Sequence, residues 1–261
     1  MVGLADQTTW VDELVVYTKF FDYTNSMNTL TADQIRELNS YSIYVDTPQH
    51  PVFTLADLQD HAKIADLIQV MKMVSQSPDE VVAASYFMRR IGMFFAMQLY
   101  NLAAYDELWS GVAEDLRFGA VEEFGNRTIS MFIDSKDWQM VDEDERQMHI
   151  RSILENAHAV ITSLRTAVPL SPLTAWENIF GFWLWQYHVL LSDPGSEMEA
   201  RDDLEILKAN EVWTGIHTHS RFASYLNGSE PSALLNTTVR KTCCFSKDVP
   251  GLMRCGFCPL P

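Results

Sequence analysis

All four cysteines of this 261-residue chain lie in its last nineteen residues, as Cys243-Cys244, ten residues, then Cys255-x-x-Cys258. The 242 residues before them therefore fold with no covalent staple, on burial and hydrogen bonding alone. Hydrophobic residues make up 47% of the chain, ample for a buried core. Cysteine is too sparse for a secreted disulfide framework. Four thiols gathered at one end, with none left over, suggest one tetrahedrally ligated inorganic centre in a reducing compartment.

The body reads as mainly α, in an α+β arrangement. Leu55, Leu58, Ile64, Ile68, Met71 and Val74 recur at helical steps and predict a helix entered near Thr54. A second helix runs from about Asp79 through Tyr100, and residues 101 to 116 continue it or form a third. Between 117 and 141 the alternation Thr128-Ile-Ser-Met-Phe-Ile133, with turn residues around it, predicts a small antiparallel hairpin or meander. Further helices are expected at about 144 to 166, 172 to 191, 197 to 210 and 213 to 226. The organisation expected is a helical body over 1 to 238, with a hinge near 117 to 141 allowing two lobes, and a cysteine-bearing segment over 239 to 261.

Charge excludes some partners. A net charge of -16 argues against nucleic acid, whose phosphates repel such a surface. The segment from Arg240 onward differs: Arg240, Lys241, Lys247 and Arg254 against Asp248 leave it at +3, on a body that carries -19. Residues 1 to 22 show no basic stretch followed by an apolar one, so no signal peptide is expected. The apolar window Ile179 to Trp185 is too short to span a bilayer. No Walker motif, dinucleotide-binding glycine pattern or H-E-x-x-H is present, which points to electrons arriving from another protein rather than from bound NAD(P)H.

Three chemistries can use the thiols. A structural zinc draws on two separated pairs, whereas Cys243 and Cys244 are adjacent, with Cα atoms about 3.8 Å apart and side chains diverging in extended backbone. A [2Fe-2S] cluster has two irons needing two thiolates each and accepts a diverging pair more readily. Its net charge of roughly -2 would be offset by the surrounding +3, and nearby Lys and Arg would raise its reduction potential. Spacing favours the cluster and leaves zinc, disulfides and free thiols as alternatives.

The run Arg240-Lys-Thr-Cys243-Cys244, then Pro250, then Cys255-Gly-Phe-Cys258-Pro259 resembles the C-terminal signature of the ferric-siderophore reductases of the ferrioxamine B reductase (FhuF-like) family. Trp176-Glu-Asn178 is similar to a Trp-x-Asn helix start of the same family. Ser246 departs from it, standing where an aromatic residue is expected between the cysteine pairs. The resemblance implies a cytoplasmic oxidoreductase in which Cys243, Cys244, Cys255 and Cys258 ligate a [2Fe-2S] cluster. It further implies a ferric siderophore as substrate, an external electron-donor protein of ferredoxin-like or flavin-reductase type, and transient contact with the inner face of the membrane without insertion. An iron-sulfur electron carrier or redox sensor without siderophore substrate is the alternative function.

Outside the cysteines, Arg221 is the substrate-side candidate, close in sequence to His217 and His219. The two histidines diverge by about 200° on a helix and so cannot share a metal there. Trp176, Phe180, Trp183 and Tyr187 recur at helical spacing and read as core.

Overall fold

The structure, a computed structural model, describes residues 30–123 and 125–260; the N-terminal stretch read above for a signal peptide lies outside them. In chain order the elements are α1 (Ala32–Ser40), β1 (Ile43–Val45), β2 (Pro51–Thr54), α2 (Leu55–Gln59), α3 (Ile64–Ser75), α4 (Glu80–Tyr105), β3 (Glu107–Trp109), β4 (Arg117–Glu123), β5 (Asn126–Ile133) and β6 (Trp138–Met140). Then follow α5 (Arg146–Ala167), α6 (Pro172–Leu190), α7 (Glu197–Lys208), α8 (Arg221–Leu226) and α9 (Pro231–Leu234). The fold is mainly α with a small mixed sheet, as expected.

The 26-residue α4 is the central helix. The Asp79 carboxylate accepts from the Val82 amide at 2.9 Å to cap its start. Asp106, at φ 52°, turns the chain out of it and into β3, so the helix expected to continue toward residue 116 stops there. α6 packs along α4, and Gly92 sets how closely: a Cβ there would stand 3.1 Å from Ile179 Cα. This approach brings Ser85 of α4 beside Asn178 of α6, and Arg89 over the Phe182 ring. Trp176, Phe180, Trp183 and Tyr187 are buried in the core with Trp213 and Phe222.

Four strands pair in the order β1-β5-β4-β2, with β1 parallel to β5 and the other pairings antiparallel. The expected hairpin is β4 with β5, turned through Gly125 at φ 75°, a conformation open to glycine. The third strand of that region, β6, joins β3 instead, pairing Trp109 with Trp138. The helix expected from Thr54 is two helices, because Thr54 caps α2, which ends at Gln59 with Asp60 extended, and the chain re-enters as α3 at Ile64. Two ionic groups tie the layers together. Arg146 forks onto Asp203 (3.0 and 2.8 Å), joining α5 to α7, and also meets Asp106 beyond α4. Among the described residues no helix is long and apolar enough to cross a membrane.

Glu123 links the sheet to α4. Its carboxylate accepts from Arg90 Nη2 at 2.8 Å, Ser130 Oγ at 2.6 Å, Ser42 Oγ at 2.7 Å and Tyr44 OH at 2.9 Å. Burial pushes this carboxyl up, but the Arg90 charge and the Ser130 and Ser42 hydroxyls outweigh burial and hold it below the ordinary carboxylate range. Such a group contributes its full stability above the unfolded-state pKa and loses it as pH falls through the folded value. Glu123→Gln is therefore expected to lower the unfolding free energy near neutral pH by about 2 kcal/mol. Urea melts of both proteins check this: the gap should narrow as pH falls below about 4. A gap of constant width would show that the carboxylate charge is not what stabilises this junction.

Candidate metal centre

The cysteine segment is tied to the body just upstream of its first thiol. Glu177, 1% exposed, is the tie. Its carboxylate accepts from the Lys241 amide at 2.8 Å, the Thr242 amide at 3.0 Å and the Thr242 hydroxyl. Arg240, 5% exposed, donates through Nη1 to the Glu177 carbonyl at 3.0 Å and through Nε to the Thr242 carbonyl at 3.2 Å, with Nε 3.8 Å from the Glu177 carboxylate. A buried carboxylate thus meets a buried guanidinium and two consecutive amides, which compensates both charges. One step further, Ser85 Oγ donates to the Cys244 carbonyl at 3.0 Å. Asn178 Nδ2 holds Ser85 at its carbonyl (2.8 Å) and hydroxyl (2.9 Å).

Past this anchor the backbone wraps around its own sulfurs. Phe245 takes a left-handed conformation (φ 59°), and its amide donates to Cys243 Sγ at 3.3 Å. The amides of Ser246 and Phe257 donate to Cys244 and Cys255 in the same way, each two residues beyond its cysteine. The Cys258 amide closes a turn onto the Cys255 carbonyl at 3.1 Å. The Phe257 ring lies against Gly181 of α6, 3.4 Å from where a Cβ would stand, and so docks the Cys255-Cys258 turn on the body.

Cys244 is the buried thiol, at 2% exposure; the other three are partly exposed, and none is in a disulfide. The Cys255 thiol donates to Cys244, and this bond, with Arg89 and Ser246 and against burial, lowers the Cys244 thiol to about 4. Cys255 is raised correspondingly. Arg89 Nη1 lies 3.5 Å from Cys244 Sγ and also donates to Ser246 Oγ. Its guanidinium is carried over the Phe182 ring at 5.9 Å. Ser246 thus serves as a polar contact of Cys244 at 3.3 Å, where an aromatic shield is expected from the resemblance.

The sulfurs of Cys244 and Cys255 meet, while among the described residues no three His, Cys, Asp or Glu side chains converge closely enough to hold a metal ion. The donor set fits a thiolate-ligated centre by its chemistry: four soft donors, amide hydrogens directed at three of the sulfurs, and a guanidinium at the buried one.

Arg221 stands at the start of α8, and the chain before it corrects one expectation. Residues 213 to 226 are not one helix. Glu211–Trp213 is a short 3-10 turn, residues 214 to 220 are irregular with Gly215 at φ 85°, and only Arg221–Leu226 is helical. Trp213 is pinned in the core with Nε1 donating to the Leu207 carbonyl at 2.9 Å. Ser220 Oγ also donates to that carbonyl and accepts from the Ala223 amide at 3.0 Å, which opens α8. His217 and His219 fall in the irregular stretch, with His217 Nδ1 3.2 Å from the His219 carbonyl. Arg221 and His217 line a cavity of about 440 Å³ together with Phe180, Tyr225, Glu177 and Lys241.

Glu177, Ser85, Arg89 and Arg240 were not among the site residues expected from sequence. Glu177 carried a signal as the middle residue of the Trp-x-Asn helix start, and Arg240 as the first residue of the run that leads into Cys243-Cys244. Comparison with protein-family models, curated proteins and solved structures finds no match to this chain.

Proposed function

We propose that this protein is a cytoplasmic ferric-siderophore reductase in which Cys243, Cys244, Cys255 and Cys258 hold a [2Fe-2S] cluster. The observation that carries the reading is the anchored thiol segment, whose sulfurs receive backbone amides and the Arg89 guanidinium. A cluster bound there supplies one-electron chemistry, one electron for each Fe(III) reduced to Fe(II). Oxygen chelators hold the harder ferric ion far more tightly than the ferrous ion, so reduction releases the metal from an imported siderophore.

The chain's own residues have three tasks in this reading. Glu177 and Arg240 hold the segment against α6; Arg89 and the amides stabilise thiolate character; and partial exposure of Cys243, Cys255 and Cys258 keeps the sulfurs near an incoming chelate or carrier. The electron donor is a separate protein, ferredoxin-like or a flavin reductase system, reached in solution or during transient contact at the inner face of the membrane. The +3 segment on an acidic body favours an acidic carrier or an anionic chelate at this end of the molecule.

The test is anaerobic purification, reduction, and titration with several ferric siderophores. Iron-sulfur absorbance and an EPR signal on reduction are expected, with reoxidation by at least one chelate and Fe(II) captured by a ferrous-specific dye in matching amount. Protein without iron or acid-labile sulfide after careful anaerobic preparation overturns the cluster. A reduced cluster that no ferric chelate reoxidises leaves the electron-carrier or redox-sensor reading.

A further inference from the structure

The cavity beneath Arg221 lies between α6, α8 and the strand of chain that leads to the cysteines. Its charge is unusual for so acidic a protein. Arg221, Lys241 and His217 line it, and neither the Arg221 guanidinium nor the Lys241 ammonium makes an ion pair among the described residues. The carboxylate in its wall, Glu177, is already engaged by two amides and by Arg240. What remains facing the space is unpaired positive charge. A concave, partly desolvated setting makes such charge more effective toward an anion than the same groups on open surface.

Tyr225, 9% exposed, also lines the cavity. The Tyr225 ring packs on Phe180 at 5.3 Å, giving one apolar wall beside the polar groups. A volume of about 440 Å³ suits a small organic ligand.

We infer that this cavity binds a polycarboxylate, with Arg221 taking a carboxylate in a forked pair and Lys241 facing a second. Resting on the reductase reading, the same site selects carboxylate-bearing, anionic ferric chelates over neutral trihydroxamate ones. Position supports the link: Glu177 and Lys241 belong both to the cavity wall and to the anchor of the cysteine segment. A carboxylate chelate seated there lies against Lys241, two residues before Cys243.

The test uses the full chain and a redox-silent probe, gallium(III) citrate, in equilibrium dialysis at low and high salt, with a neutral gallium(III) trihydroxamate as comparator. Saturable citrate-complex binding that weakens with salt is expected, falling roughly tenfold in Arg221→Gln and partly restored in Arg221→Lys. Among the described residues the Arg221 side chain makes no hydrogen bond or ion pair, so matched thermal melts should show both Arg221 variants folded. Absence of saturable binding in the wild type, or equal binding in Arg221→Gln, overturns the inference. So does tighter binding of the neutral comparator. Because gallium is not reduced, the outcome separates from the reductase reading: ferric chelates reduced without gallium citrate binding sink the cavity alone, and binding by a protein that holds no iron or sulfide sinks the reductase alone.

Discussion

Glu177→Ala is expected to uncouple the cysteine segment from the helical body while leaving that body folded. The substitution strands the Arg240 guanidinium in a buried position and removes the acceptor for the Lys241 and Thr242 amides. Breaking a buried pair from one side costs about 3–5 kcal/mol, since the surviving charge is uncompensated. The chain can escape most of that cost by lifting Arg240 and its neighbours into water. The ties it keeps include the Ser85 bond to Cys244, the Arg89 contacts with Cys244 and Ser246 and the Phe257 contact on Gly181. Local opening is therefore cheaper than global unfolding.

Limited trypsinolysis reads this directly, because Arg240, Lys241, Lys247 and Arg254 all lie in the segment. Cleavage there should accelerate by one to two orders of magnitude, as about 1.4 kcal/mol corresponds to each tenfold change in the open population. Far-UV circular dichroism should hardly change. Glu177→Gln, which keeps the volume and one acceptor oxygen, should fall between the two. Unchanged protection in Glu177→Ala would mean that the carboxylate is not the anchor, and collapse of the whole helical signal would mean that the anchor serves the entire core.

The second large effect concerns the thiols. Each of Cys243→Ser, Cys244→Ser, Cys255→Ser and Cys258→Ser is expected to abolish or severely disturb the iron-sulfur spectrum of anaerobically prepared protein, since a hard hydroxyl replaces a soft thiolate ligand. Helical content should survive, because the main hydrophobic cluster is built without the cysteines, which all lie in the last nineteen residues. Full retention of the spectrum in any one variant removes that cysteine from the ligand set. Loss of helical signal on cluster removal would show instead that the metal centre holds the fold together.

The two predictions probe different kinds of information. The long helices were legible in the chain because periodicity and caps are local: α4 begins after its Asp79 cap, α6 carries Pro172 in its first turn, and α5 and α7 fall close to their expected spans. The strands β1 and β2 were not. β1 is three residues long, and its partner is β5, with Ile43 opposite Met131, so nothing in its own sequence announces the pairing. The stretch from 213 to 226 misled because its apolar residues fit a helix while Trp213 and Ser220 both bond to the Leu207 carbonyl, fixing an irregular turn between them.

The candidate site divides in the same way. The thiols, their spacing and the +3 charge around them belong to nineteen consecutive residues and a short basic lead-in, so the sequence by itself determined which soft donors are present. How those donors are held was decided only by tertiary structure. The bond from Ser85 to Cys244 joins residues 159 apart, and Arg89 reaches the same sulfur from 155 away. Glu177 clasps amides 64 and 65 residues downstream. Such contacts depend on the close packing of α4 on α6 at Gly92, and no local pattern encodes them. Donor identity is a property of the residue, whereas anchoring and a cationic cavity are properties of the neighbours that packing supplies.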